Sequence, residues 1–382
     1  MKLQPFTLER YFAQYEFSTK YLLCSSDCES LAVKDLLALE PRAEERLRGL
    51  WLGYTESLGS PSLRETIAGI YADIAPGQVL VHSGAEEAIF LFMNAVLERG
   101  DHVIVQWPCY QSLSEVALGI GCAVTPWRLR EEGGAWTADL DELRRAFRPN
   151  TRVVVVNSPH NPTGYHFTHA EQAEVVELVE EHGALLFSDE VYRESEHDPA
   201  DRLPAACDLS ERAVSLGVMS KTYGLAGLRI GWIATRNAEV FARMAGMKDY
   251  TTICNSAPSE LLAEVALKHR EELAARNVAL IVENLKVLDG FFARQAGRFA
   301  WLRPRAGSVA FPRLVDGDIE VFCQRLVTEA GVLLLPGTLF DMPGGYFRLG
   351  FGRRNLPEAL GVMEGYLERE EGFSTNYTNG TN

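Results

Sequence analysis

No stretch of the 382 residues stays apolar long enough to span a bilayer. The longest run, Ala88 to Leu97, is interrupted by Asn94 and falls well short of the ~20 residues a membrane helix needs. The opening residues, Met1-Lys2-Leu3-Gln4-Pro5, lack the apolar core of a signal peptide. Positive charge is scarce: Lys and Arg number 37 against 52 Asp and Glu, a formal net charge of −15 with no basic run, so the chain would repel nucleic-acid phosphates. Cysteine is scattered as well. Of seven cysteines only Cys24 and Cys28 are close, and no second pair completes a zinc-site spacing, so buried free thiols are expected. His160, His166 and His169 share a loop but have no Cys or carboxylate at ligand spacing, which excludes a metal reading. There is no internal repeat and no low-complexity linker. What remains is an ordinary globular composition, 47% hydrophobic and 23% charged, in a chain long enough for two or three domains. The expectation is a soluble, cytoplasmic protein with neither membrane nor nucleic acid as partner.

Short apolar runs punctuate the first two thirds: Val79–Val81, His102–Gln106, Arg152–Val156, Ala184–Phe187, Ala213–Met219 and Ile230–Ala234. Amphipathic stretches of helical period lie between them. Strands apolar on both faces and separated by helices predict an α/β fold with a mostly parallel sheet covered on both sides. From about Ser256 the pattern changes. Glu260 to Arg294 reads as one long helix, and Val309–Leu314, Val332–Leu335 and Tyr346–Gly350 read as strands of a smaller α+β unit. Phe241, Met244 and Met247 read as core. The polar tail from about Gly372 is expected to fray.

In such a sheet, ligands sit beyond the carboxyl ends of the strands. The segments that follow the strands here are Ser83-Gly84-Ala85-Glu86, Trp107-Pro108-Cys109-Tyr110, Asn161-Pro162-Thr163-Gly164, Asp189-Glu190-Val191-Tyr192 and Ser220-Lys221-Thr222-Tyr223-Gly224. An anion cradle, an aromatic ring, an amide, a carboxylate, a phenol and a lysine thus converge on one rim. Pyridoxal 5′-phosphate (PLP) calls for that set. Its aldehyde takes a lysine amine as a Schiff base, and its pyridine nitrogen needs a carboxylate to stay protonated. Its phenolate oxygen takes donors such as Asn and Tyr, and its phosphate takes helix N-terminal N–H groups, hydroxyls and an arginine. Alone, an Asp-x-x-Tyr or an Asn-Pro-Thr-Gly is an ordinary turn, and a lone lysine is a solvated one. The joint order of the motifs, each at a strand end, overturns those readings.

From Tyr54 to Arg348 the chain resembles the class I/II aminotransferases of the aspartate aminotransferase superfamily, PLP fold type I. Ser220 to Trp232 is similar to that family's lysine signature, which implies that Lys221 binds PLP and that Ser220 and Arg229 contact its phosphate. The resemblance further implies backbone N–H groups of Ala85 and Glu86 at the phosphate and a ring of Tyr110 stacked on the cofactor. It places Asn161 and Tyr192 beside the phenolate oxygen and Asp189 at the pyridinium. Arg348, in Phe347-Arg348-Leu349-Gly350-Phe351, resembles the arginine that grips the substrate α-carboxylate. Tyr54 resembles a tyrosine that reaches a neighbouring subunit's phosphate, which implies a homodimer with shared active sites. The implied architecture is a large domain (residues 45–265) with a mostly parallel seven-stranded sheet between helices, plus a smaller α+β domain built from both chain ends (residues 1–44 and 266–382).

Two segments depart from the family. The stretch Leu23-Cys24-Ser25-Ser26-Asp27-Cys28-Glu29-Ser30 has no glycine where many members are glycine-rich. A polar, acidic segment there suits a basic or hydroxylated substrate side chain, and in its run of serines the chain resembles the capreomycidine synthase-like enzymes, which act on arginine-derived amino acids. Asp27 and Glu29 equally suit caps for a helix beginning near Leu31. Gly307-Ser308-Val309-Ala310 lacks the family's bulkier aromatic motif, which predicts a wider pocket. The expected activity is transamination between an L-amino acid and a 2-oxo acid, Lys221 removing the α-proton as general base with Asp189 and Tyr192 beside the ring. The alternatives are elimination, replacement, cyclisation or decarboxylation by the same residues, or a PLP-binding regulator without turnover.

Overall fold

Strands β1 (Val79–His82), β2 (His102–Trp107), β3 (Ala123–Glu132), β4 (Ala135–Ala138), β5 (Thr151–Asn157), β6 (Leu185–Asp189), β7 (Ala213–Val218) and β8 (Gly231–Ala234) form one sheet. Their spatial order is β1-β8-β7-β6-β5-β2-β3-β4 in a computed structural model that describes the backbone of residues 2–378 and side chains through residue 370. All six apolar runs of the sequence are strands of this sheet. β3, β2, β5, β6 and β7 pair in parallel, while β8 runs antiparallel to both β7 and β1. The sheet has eight strands rather than seven. β4 folds back on the outer end of β3 as a hairpin, with the turn Gly133-Gly134 at φ +60° and +80°, a conformation that favours glycine. In β3, buried Trp127 and Leu129 alternate with exposed Arg128 and Arg130, so this edge pair shows no continuous apolar run.

The core follows the two-residue period of the strands. Val103, Val105, Val153 and Val155 point to one face, where they pack with Phe92, Phe187 and Leu216. Ile104, Val154 and Val156 point to the other, against Trp127, Leu178 and Leu186. Met244 lies in the first of these clusters with Phe241 and Met247 packed against it, as read from the sequence. The helices Ala85–Val96, Ser112–Ile120 and His169–Glu181 supply the crossovers that parallel strands require. A further cluster joins Tyr21, Leu23 and Cys28 near the start of the chain to Leu285, Phe299, Phe347 and Met363 near its end.

The stretch expected as one helix is two, Ala257–Lys268 and Arg270–Arg294, because the backbone of His269 (φ −111°, ψ 23°) leaves the helical region between them. Val309–Ala310, Phe347–Gly350 and Leu335–Pro336 form a three-stranded sheet, and Arg313–Leu314 pairs with Phe299–Ala300. The final helix, Leu356–Thr378, runs into the tail expected to fray, and the last four residues of that tail lie outside the described residues. All seven cysteines are free thiols and six are buried. Among the described residues no helix is long and apolar enough to cross a membrane.

Candidate active site

Because β8 reverses direction between β7 and β1, β1 points the same way as the parallel strands. The carboxyl ends of β1, β2, β5, β6 and β7 therefore open onto one rim. A cleft of about 360 Å³ lies there, lined by ten of the eleven residues expected from sequence: Ala85, Glu86, Tyr110, Asn161, Asp189, Tyr192, Ser220, Lys221, Arg229 and Arg348. Tyr54 is the exception. It lies outside the cleft and is 85% exposed, beside Trp51 at 78% and Leu52 at 77%.

At one end of the cleft sits the N-terminus of the helix Ala85–Val96, whose N-cap Gly84 offers no side chain to its free N–H groups. Gly84 adopts φ +86°, and a Cβ there would meet Arg229 Nη2 at 2.6 Å. A Cβ on Gly231 would meet the Ala85 nitrogen at 2.9 Å. Arg229 itself is held at φ +51°, a left-handed conformation that costs a non-glycine residue about 1–2 kcal/mol. Helix dipole, free N–H groups and a guanidinium thus share a space that larger residues would fill, which is an anion cradle. The Glu86 carboxyl accepts a hydrogen bond from Ser112 Oγ (3.1 Å), and burial pushes its pKa up to about 7, against the Arg229 charge.

Asp189 ends β6. Its Oδ1 accepts the Val191 N–H at 3.2 Å, and burial raises its pKa to about 7, with Lys221 pulling the other way. An almost fully buried carboxylate with one weak partner suits a cationic neighbour. The Tyr192 hydroxyl is buried beside Ser26 without a hydrogen bond of normal geometry. Asn161 is fixed from behind, its N–H donating to Asn157 Oδ1 at 2.6 Å. Tyr110 reaches Glu9 through its hydroxyl at 3.1 Å, and its ring lies 5.1 Å from that of Phe6.

Arg348 is 1% exposed. Its Nε and Nη2 donate to the Cys24 carbonyl (3.2 and 3.0 Å), and its Nη1 donates to Asn161 Oδ1 (3.1 Å). Lys221 Nζ donates to Ser26 Oγ at 2.8 Å, and burial followed by the Arg348 charge lowers its pKa, which favours the neutral, nucleophilic amine.

Several lining residues were not singled out from sequence. Glu9, Phe12 and Glu16, from the helix Thr7–Tyr15 and its C-cap, face the cleft together with Arg353, beside Ser25, Ser26 and Asp27 of the polar segment expected to suit the substrate side chain. The spacing i, i+3, i+7 is the signal that could have grouped the first three on one helix face. Asp27 and Glu29 do not cap a helix. The helix Val33–Leu37 starts at N-cap Ala32 without a side-chain cap, while Asp27 pairs with Arg353 (2.9 and 3.0 Å) and Glu29 accepts the Arg354 N–H (3.0 Å). Long-range pairing claims both carboxylates.

The anion cradle, the buried carboxylate, the unpartnered phenol and the cleft-lining lysine together fit PLP, whose phosphate, pyridinium, phenolate oxygen and aldehyde complement them in turn. Comparison with known proteins agrees. Residues 18–360 match the family model for aminotransferases of class I and II. The chain is 33% identical over 364 residues to the capreomycidine synthase of Streptomyces vinaceus, a match covering 93% of this chain and 92% of that protein. The crystal structure of a PLP-dependent aminotransferase from Streptococcus suis superposes with a TM-score of 0.90 at 34% identity, over 97% of this chain and 99% of the other. That of the PLP-dependent cyclase OrfR does so with a TM-score of 0.88 at 31% identity, over 97% and 98%. The chain belongs to the class I and II aminotransferase family and is a PLP-dependent enzyme of that family's fold.

Proposed function

We propose that this enzyme transfers an amino group from an L-amino acid to a 2-oxo acid, with Lys221 as the residue that holds PLP. The observation that carries this reading is the placement of Lys221, Asp189 and Arg348 around one cleft with an anion cradle at its end. When bound, PLP supplies an aldehyde that condenses with amines and a protonated ring that accepts the electron pair released at the substrate α-carbon. Ala85 and Glu86 N–H groups, Ser220 and Arg229 hold the phosphate, Asn161 and Tyr192 face the phenolate oxygen, and the Tyr110 ring packs on the face. Lys221 Nζ, once free, takes the α-proton and carries it as an ammonium. Arg348 and Asn161 orient the substrate carboxylate. The cleft lies between a large domain of residues 45–265 and a smaller one of residues 1–44 and 266–382, a division supported by the apolar cluster that joins both chain ends.

A second reading has a specific observation behind it: both the capreomycidine synthase and the cyclase OrfR match nearly the whole chain. In that reading the same proton transfer at Lys221 precedes loss or replacement of a substituent on the amino acid. A 15N-labelled amino donor with an unlabelled 2-oxo acid separates the two by mass spectrometry. Label found in a new amino acid made from the acceptor supports transamination. Label retained in a cyclised or dehydrated donor, with the acceptor unchanged, supports the second reading.

The carboxylate role of Arg348 makes a sharp prediction. Arg348→Lys replaces a planar fork by a point charge, so it should weaken amino acids about 10–100-fold and leave the matching decarboxylated amine nearly unaffected. Equal losses for both donors, with an early thermal melt, would assign Arg348 to structure instead.

The homodimer is supported by the exposed run Trp51, Leu52 and Tyr54 and by Tyr250, 93% exposed, on a loop tied to it through Thr55 Oγ1 and the Asn255 carbonyl (3.0 Å). If Tyr54 completes the neighbour's phosphate site, mixing Tyr54→Ala and Lys221→Ala subunits regenerates one intact site per hybrid dimer. Up to about a quarter of wild-type activity should return on verified subunit exchange, from random pairing with one working site per hybrid. No recovery would rule out sharing.

A further inference from the structure

We propose that Ser26 is a positioning residue for Lys221, its hydroxyl fixing the direction of the lysine amine in the cleft; this rests on the reading of Lys221 as the base. The hydrogen bond from Lys221 Nζ to Ser26 Oγ, 2.8 Å long, joins residues 195 positions apart in sequence. The serine is held firmly enough to act as a fixed point. Ser308 Oγ donates to the Ser26 carbonyl at 2.8 Å, and the Gly350 N–H donates to the Leu23 carbonyl at 3.0 Å. Arg348 holds the Cys24 carbonyl and Arg353 holds Asp27, so the backbone is fastened on both sides of Ser26. Gly350 packs so closely that a Cβ on it would overlap the Ser25 carbonyl oxygen.

The physical consequence follows from the geometry of an amine. A neutral lysine amine has two N–H bonds and one lone pair. Donating one N–H to a fixed acceptor restricts rotation about the Cε–Nζ bond and keeps the lone pair off Ser26, in one of the two remaining positions on the nitrogen, where it is available for the α-proton. Once protonated, the ammonium keeps the same partner in a charge-assisted hydrogen bond, which is the stronger of the two. Ser26 therefore favours the product of proton transfer as well as the approach to it. The charges that face Lys221 are Arg348, which lowers its proton affinity along with burial, and Asp27, Asp189 and Glu9, which raise it. Ser26 adds to the raising side without adding charge, and it is the member of the set that sets direction.

The test compares Ser26→Ala and Ser26→Gly, which remove the acceptor, with Ser26→Thr, which keeps it. In the cofactor-free protein, the pH dependence of Lys221 acetylation by acetic anhydride is read by peptide mass spectrometry. Loss of the acceptor should move the midpoint down by about one pH unit, a tenfold change in proton affinity. In the PLP-loaded enzyme, kcat should fall about 10–100-fold while KM for the amino acid and the melting temperature stay near wild type. Ser26→Thr should restore both readouts. An unchanged acetylation midpoint and kcat in Ser26→Ala and Ser26→Gly would overturn the proposal, as would early melting that Ser26→Thr fails to rescue. Borohydride reduction of the wild-type enzyme keeps the two levels apart. A pyridoxyl adduct on a lysine other than Lys221 overturns the base assignment and Ser26's role with it, whereas an adduct on Lys221 with indifferent Ser26 variants overturns the Ser26 role alone.

Discussion

Lys221→Ala should leave the protein unable to form any reducible covalent link to PLP and should lower turnover by at least ~10²–10⁴-fold, the range for removal of a general base. The expectation comes from placement. Lys221 follows the buried strand β7 through Ser220, and it is the lysine among the cleft-lining residues. Lys248 is also buried, but its amine is spent on Asn255 Oδ1 at 2.8 Å, away from the cleft. Burial lowers the proton affinity of Lys221, so more of it is neutral amine near pH 7 than for a solvated lysine. Borohydride reduction followed by peptide mapping checks the point directly. The wild type should carry one pyridoxyl adduct, on Lys221, and the variant none. An adduct elsewhere in the wild type would sink the assignment, whatever the kinetics of the variant.

Much of this cleft was legible because the residues that line it cluster in short segments directly after strands, and those strands announce themselves by unbroken apolar runs. Asp189-Glu190-Val191-Tyr192 and Ser220-Lys221 need only local sequence and the rule that parallel strands open onto one rim. What stayed hidden depends on distant pairing. Ser26 meets Lys221, and Asp27 meets Arg353 across 326 positions, and no periodicity connects such residues. Asp27 and Glu29 satisfied a local capping rule, yet stronger charge-assisted partners from the far end of the chain claimed them. The edge hairpin of β3 and β4 was missed for another reason. Its alternating charged residues face water, so it lacks the two-faced apolar signature of the inner strands. The break at His269 leaves no mark in the apolar pattern: Leu273, just beyond it, still packs in the cluster of Leu63 and Leu262, and only further along does the second helix reach the cluster of Leu285 and Phe299.

Asp189→Asn should separate two effects of a single negative charge. On the proposed reading, the carboxylate at the end of β6 would meet the pyridine nitrogen of bound PLP and keep it protonated. The amide has the same shape but no charge, so the electron sink weakens. Turnover should fall on the order of 10²–10³-fold or more, the loss typical of removing one preorganised electrostatic group, while PLP remains partly bound through the phosphate cradle. In the cofactor-free protein the sign reverses. Burial raises the Asp189 carboxyl from 3.8 to about 7, so the folded state binds this proton more tightly than the unfolded chain. Its contribution to stability is then fully present below pH ~3.8 and lost as the pH rises through about 7. Above that pH the native protein must carry a buried, unpaired negative charge, which the neutral amide of the variant does not impose. Asp189→Asn should therefore melt several degrees above wild type at pH 8 without PLP, by up to roughly 4 kcal/mol in stability, and the gap should close toward pH 5. Adding PLP at pH 8 should stabilise wild type more than the variant, because only the wild-type carboxylate gains a cationic partner. Thermal melts at the two pH values, with and without cofactor, give four numbers whose order is fixed by these charges. A variant that melts like wild type in all four and turns over near the wild-type rate would remove Asp189 from the pyridinium.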